Sequence, residues 1–320
     1  MSSAVEALVQ SANRTLTLEE WQHAQRVHTS IIVPFTMNFR TRRAKGKLHP
    51  IYDFLFSYYT YSTKKLEKWH PGFGTKLEGP KVSFGDGLLD EYGYVYADGA
   101  LTLSAAAIRT KDIKQLLWVR SLCEAMLNRP ERFSCFGLHE WAIVYREAEI
   151  RHQYPLRLSA SAVAEVVESN TLCCSHFDAF RFFAPAARGL NVLQPTSDTR
   201  LHYEQSGCLH ANMDLYKWAY KLMPWTSSDL LRECFLLALR AREIDMRASP
   251  YDFRSLGFAP ILIETAEGKK EYREAQQEIA ASARPLRQRM LDLTNKVLAS
   301  APQPQVAAVR DSFVVALPAL

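Results

Sequence analysis

From Thr17 the chain reads TLEEWQHAQRVHTSIIV, and Trp21, Ala24, Val27 and His28 recur at helical spacing. Thr17 and Glu20 stand at the positions of a capping box, so a helix opens there. Pro34 is expected to bend or end it near Val33. A second helix is expected over 49–69. His49-Pro50 places proline at its first position, Tyr52, Leu55, Phe56 and Tyr59 form its apolar stripe, and His70-Pro-Gly-Phe-Gly stops it. Between 72 and 104 the texture changes: glycines concentrate, and YVYADGALTL predicts a hairpin turning at Asp98-Gly99.

Helical period returns with Ile113, Leu116, Leu117, Arg120 and Cys123, and FGLHEWAIVYREAE places His139, Glu140 and Tyr145 on another helix. The stretch VAEVVES, rich in valine, reads as extended. A helix ended by Pro224 covers the stretch SGCLHANMDLYKWAYKLMPW, 206–225. Ser228-Asp229 opens the next one, which runs through Leu231, Cys234, Phe235 and Ala238 to Asp245. A short strand is expected at 261–264. A long charged helix follows over 268–300, with Tyr272, Gln276, Ile279, Ala283 and Leu286 on its apolar face and Pro285 as a bend point. The predicted class is mainly α: a single helical domain over 1–300, with 72–104 as a loop-and-hairpin insertion and 301–320 as a loosely packed C-terminal tail. No repeat of 20–50 residues is present.

Composition narrows the class without naming a function. The 320 residues are 48% hydrophobic and 11% aromatic, which describes a globular chain with a sizeable core. The 39 basic and 34 acidic residues leave a net charge of only +5, so a local patch matters more than the sum. The one dense patch is FRTRRAKGK, where Arg40, Arg42, Arg43, Lys45 and Lys47 form either a solvated loop or a phosphate-contacting segment for DNA. The six cysteines contain no C-x-x-C pair, and they read as small buried residues of a reduced, cytoplasmic protein. No apolar run is long enough to span a membrane, and no basic start with an apolar run opens the chain. Serine-hydrolase, P-loop and dinucleotide-binding motifs are all absent.

Ionisable residues do cluster among aromatics. On the 206–225 helix, His210 and Asp214 lie four apart with Lys217 three further on, so the three share one face, opposite Leu209, Met213, Tyr216 and Tyr220. That face either meets solvent or lines a cleft. Two chemistries fit the cleft. Asp178 and Asp214 each have a histidine (His176, His210) two or four residues away and a cation (Arg181, Lys217) three away, so either carboxylate can act as a water-activating base. His49, Asp53, Glu140, His176, His210 and Asp214 alternatively offer imidazole and carboxylate ligands suited to iron, manganese or zinc, acting on a small-molecule substrate.

The blocks HPIYDFLFSYYTYSTKKLEKWHPGFG, CFGLHEWAIVYR, CSHFDAFRFFAPAARGLN, GCLHANMDLYKWAYKL and DMRASPYDFRSLGF resemble a bacterial family that carries the name 3-methyladenine DNA glycosylase. The resemblance implies excision of alkylated purines from DNA without a cofactor. Asp178 or Asp214 would be the base, with His176, His210 and Lys217 beside it. Phe177, Phe180, Phe182, Phe183, Tyr216 and Trp218 would stack a flipped base, and Arg40, Arg42, Arg43, Lys45 and Lys47 would hold phosphates. The alternatives are a helical metal-dependent oxidase or hydrolase, of the di-iron, heme-oxygenase-like kind, and a small-molecule binding protein without catalysis.

Overall fold

The computed structural model describes residues 14–147 and 154–312. It is mainly helical, as the sequence predicts, with 14 α-helices and one four-stranded sheet among the described residues. In chain order the strands are β1 (Arg14–Leu16), β2 (Thr75–Glu78), β3 (Tyr94–Ala97) and β4 (Ala100–Leu103). The first helices are α1 (Leu18–Ala44), α2 (Phe54–Tyr58), α3 (Thr63–Glu67), α4 (Gly85–Leu89) and α5 (Thr110–Asn128). Then come α6 (Leu138–Val144), α7 (Ala160–Glu168), α8 (Phe177–Phe180), α9 (Pro185–Arg188) and α10 (Arg200–Tyr203). The chain continues with α11 (Leu209–Lys221), α12 (Ser228–Arg247), α13 (Ala266–Ser300) and α14 (Gln303–Ser312).

Contacts divide the chain into two compact units. The first contains the chain up to Cys123, Tyr216–Phe235, and the chain from Leu286 to Ala316. The second contains Glu124–Leu215 and Leu236–Pro285.

In the first unit the capping box forms as predicted. Glu20 N–H donates to Thr17 Oγ1 at 3.4 Å, and Thr17 N–H donates to Glu20 Oε2 at 2.8 Å. Pro34, however, does not end α1. The helix continues to Ala44 because Ile32, Thr36 and Phe39 stay buried on one face, and that packing offsets the one missing N–H. The strand order is β1-β2-β4-β3, with β1 and β2 parallel and the rest antiparallel. The β3–β4 hairpin turns at Asp98-Gly99, both with positive φ (51° and 74°), as the Asp-Gly signal requires. Leu16, Trp21, Trp69, Leu77, Phe84, Leu88 and Leu101 form the core of this region.

Three further expectations are corrected. The single helix over 49–69 divides into α2 and α3, because Thr60 takes a left-handed backbone (φ 53°) and Ser62 caps a new start. VAEVVES is helical, as part of α7. Val163, Val166 and Val167 are buried at spacings of three and four, and Ser159 Oγ accepts from Ala162 N–H. Residues 261–264 form no strand: Ile261 N–H donates to the carbonyl of Arg247 at the end of α12. The tail is also more ordered than expected as far as Ser312, since α14 buries Val306 and Val309; residues 313–320 lie outside the described residues. Among the described residues, no helix is long and apolar enough to cross a membrane.

Candidate metal and acid–base site

The site lies in the second unit. On the polar face of α11, Asp214 and Lys217 are buried and His210 is half-buried, so that face is largely withdrawn from solvent. Four local arrangements bring partners to it. Gly137 caps α6 with φ 68°, where a Cβ would lie 3.3 Å from Tyr272, and this turn delivers His139 and Glu140 to the interior. Asn191 fixes the segment before α8, accepting from Cys174 N–H at 2.7 Å and donating to the Cys174 carbonyl at 3.0 Å; His176 follows directly. Arg129 donates to the carbonyls of Leu201 and Glu204, holding α10. On α12, Arg242 and Asp245 continue the buried stripe of Leu231, Phe235 and Ala238.

Two adjoining groups result. In the first, His139 Nε2 stands 3.1 Å from Asp245 Oδ1, outside hydrogen-bond geometry, and His210 Nε2 stands 3.7 Å from Asp245 Oδ2. The two imidazole rings meet edge to face, with centroids 4.3 Å apart. Arg242 donates to Asp245 Oδ2 at 2.9 Å and to Glu140 Oε1 at 3.1 Å. In the second group, His176 Nε2 lies 3.4 Å from Asp214 Oδ2 and 3.7 Å from Glu204 Oε1. Asp178 is held by Arg200 at 2.7 Å and approached by Arg181 at 3.4 Å. The rings of His176 and His210 are 5.6 Å apart and link the two groups. Within each triad, His139/His210/Asp245 and His176/Asp178/Asp214, one ligand atom per residue lies within 4.8 Å of the others.

Burial lowers the pKa of His139, but the charges of Asp245 and Glu140 override it and bring it to about 9. The same burial, together with the positive charge on His139, pushes His210 down to about 3. Burial raises Asp245, yet His139, His210 and Arg242 hold it below the ordinary carboxylate range. Glu140 is likewise lowered, against its burial, by His139 and Arg242. Arg242 is shared by Glu140 and Asp245, and Arg200 by Asp178 and Glu204. A cavity of about 10 Å³ touches His139, His210, Cys135, Cys174, Cys208 and Tyr272, which is room for one water-sized sphere. Burial keeps Cys135 up at about 11 and raises Cys174 and Cys208 further, so the three groups are thiols.

Of the residues singled out in the sequence, Glu140, His176, Asp178, His210 and Asp214 come together here. His49 and Asp53 do not belong to this group. They fall in the first unit, where Asp53 accepts two bonds from Arg42 (2.7 and 2.6 Å) and one from His49 N–H. Lys217 also falls in the first unit, its ammonium 4.5 Å from the centre of the Trp218 ring. Phe180, Phe183, Tyr216 and Trp218 are buried core residues, while Phe177 and Phe182 are half-buried. In the basic segment Arg42 is committed to Asp53 and Arg40 to Glu67, while Arg43, Lys45 and Lys47 are exposed. Sequence reasoning missed Asp245 and Arg242 as partners of the histidines. The available signal was charge continuing an apolar helical stripe. Glu204 and Arg200 carried no comparable local signal. Comparison with protein-family models, with curated proteins and with solved structures yields no match.

Proposed function

We propose that this protein is a metal-dependent hydrolase whose ion is held by His139, His210 and Asp245. The observation that carries the reading is the face-to-face approach of His139 Nε2 and Asp245 Oδ1, buried and off hydrogen-bond geometry, with His210 Nε2 beside them and room for one water. Two imidazoles and one carboxylate with an open position suit zinc, manganese or ferrous iron, and His139, protonated in the metal-free protein, would release its proton on binding. The ion would supply Lewis acidity, lowering the pKa of a bound water.

The chain's own residues would do the rest. Arg242 fixes the Asp245 carboxylate through Oδ2, leaving Oδ1 to face the ligand position. His176, in contact with Asp214 and with its ring 5.6 Å from that of His210, would be the base for a proton released at the site. The ion is assigned to the first triad because Asp178 in the second meets two guanidinium groups, Arg200 and Arg181, against one, Arg242, at Asp245.

The glycosylase activity implied by the resemblance is a second reading. What favours it is the same His176–Asp214 contact, a carboxylate–imidazole pair able to activate water without an ion. One preparation tests both. Metal content and release of 3-methyladenine from alkylated DNA are measured for the wild type, His210→Gln and Asp214→Asn. The hydrolase reading expects metal uptake by the wild type and Asp214→Asn and its loss in His210→Gln. Base release that disappears in Asp214→Asn, from protein that takes up no metal, would establish the glycosylase instead.

A further inference from the structure

The first unit contains a second place built for a ligand, and it stands independently of the metal centre. A cavity of about 590 Å³ is bounded by Phe39, Arg40, Arg43, Phe56, Ser62 and Thr63, a size that suits a small organic molecule. None of the described residues lining it is acidic.

Arg40 is pinned in place, donating to Glu67 Oε1 at 2.5 Å and to Thr63 Oγ1 at 3.1 Å. Arg43, one turn further along α1, is exposed, and its guanidinium lies 5.9 Å from the centre of the Phe39 ring. The Ser62 hydroxyl accepts from Lys65 N–H, and the Thr63 hydroxyl accepts from Arg40. Each hydroxyl proton therefore remains available to a ligand oxygen. Apolar lining comes from Phe39 and Phe56, which stack with centroids 4.9 Å apart, and from Leu48, which is 38% exposed. Among the lining residues, Thr60 holds φ 53°, a conformation that costs a β-branched residue about 1–3 kcal/mol and tends to gather at ligand clamps.

We infer that this cleft binds a small organophosphate. Its phosphoryl group sits between Arg40 and Arg43 with the Ser62 and Thr63 hydroxyls, and its organic part rests on Phe39, Phe56 and Leu48. Guanidinium forks with hydroxyl donors are a donor set that selects phosphate; Glu67 is not among the lining residues but engages Arg40, so Arg43 supplies most of the charge. A nucleic-acid strand fits less well, because Arg42 turns inward onto Asp53 and interrupts any continuous basic track along 40–47.

The test is isothermal titration of the full chain with adenosine 5′-monophosphate and with pyrophosphate at millimolar concentrations. Saturable binding of one equivalent is expected. Arg43→Ala should weaken it about tenfold or more through loss of charge-assisted bonds, with an unchanged Tm because the side chain is exposed. Arg43→Lys should fall between the two. Absence of saturable binding with both probes, or equal affinity in Arg43→Ala, overturns the assignment. So does displacement of pyrophosphate by a short DNA duplex, which would make the cleft a nucleic-acid contact.

Discussion

Asp245→Asn keeps the shape of a side chain that is 0% exposed and removes its charge. Arg242 then loses the anion at 2.9 Å, and His139 loses the one at 3.1 Å. Breaking a buried pair by removing one partner costs about 3–5 kcal/mol. Unfolding entropy is about 2.1 cal/mol/K per residue, so for 320 residues each kcal/mol moves the midpoint by about 1.5 °C. In the presence of chelator the variant should therefore melt about 5–7 °C below the wild type. Adding zinc or manganese at a hundred times the dissociation constant should raise the wild type by about 2.7 kcal/mol, or about 4 °C, and leave the variant unmoved. Scanning calorimetry reads both differences. A variant that melts within a degree of the wild type in chelator, and gains the same increment from metal, would refute both the charge pairing and the ligand assignment.

Three other perturbations have worked outcomes. Burial holds His70 down at about 4 in the folded state while the unfolded chain titrates near 6.5. The unfolded state thus binds the extra proton, and stability should be full above about pH 6.5 and fall by up to about 3 kcal/mol on descending through about 4; urea melts across that range should lose this slope in His70→Phe. Gly137→Ala forces an L side chain into φ 68° against Tyr272, and should cost about 1–2 kcal/mol in a urea melt. Arg42→Ala strips two hydrogen bonds from the buried Asp53 and should cost about 2–3 kcal/mol by the same measurement.

What could be read from the chain differs by element. The capping box at Thr17 and the Asp98-Gly99 turn were legible because each is decided by a few adjacent residues. Pro34 does not end its helix because one missing hydrogen bond is outweighed by long-range packing of the same helix. Val163, Val166 and Val167 suggested a strand by type, while their spacing was that of a helix; here period should have outranked propensity. In the site, His210 and Asp214 were visible as a polar pair on an aromatic helix. Their surroundings were not, because Asp245 reaches His210, and His176 with Glu204 beside it reaches Asp214, through tertiary packing that no local spacing encodes. His49 and Asp53 repeated the His-x-x-x-Asp spacing and proved to be a local arrangement anchored by Arg42.

The proposed function stands on His139, His210 and Asp245 holding an ion. Equilibrium dialysis of the purified full chain against zinc, manganese and ferrous iron, followed by elemental analysis, tests it most directly. One tightly held equivalent per chain is expected for at least one of the three, lost in both His139→Gln and Asp245→Asn. No retained metal after dialysis against any of them, or retention undiminished in both variants, would contradict it.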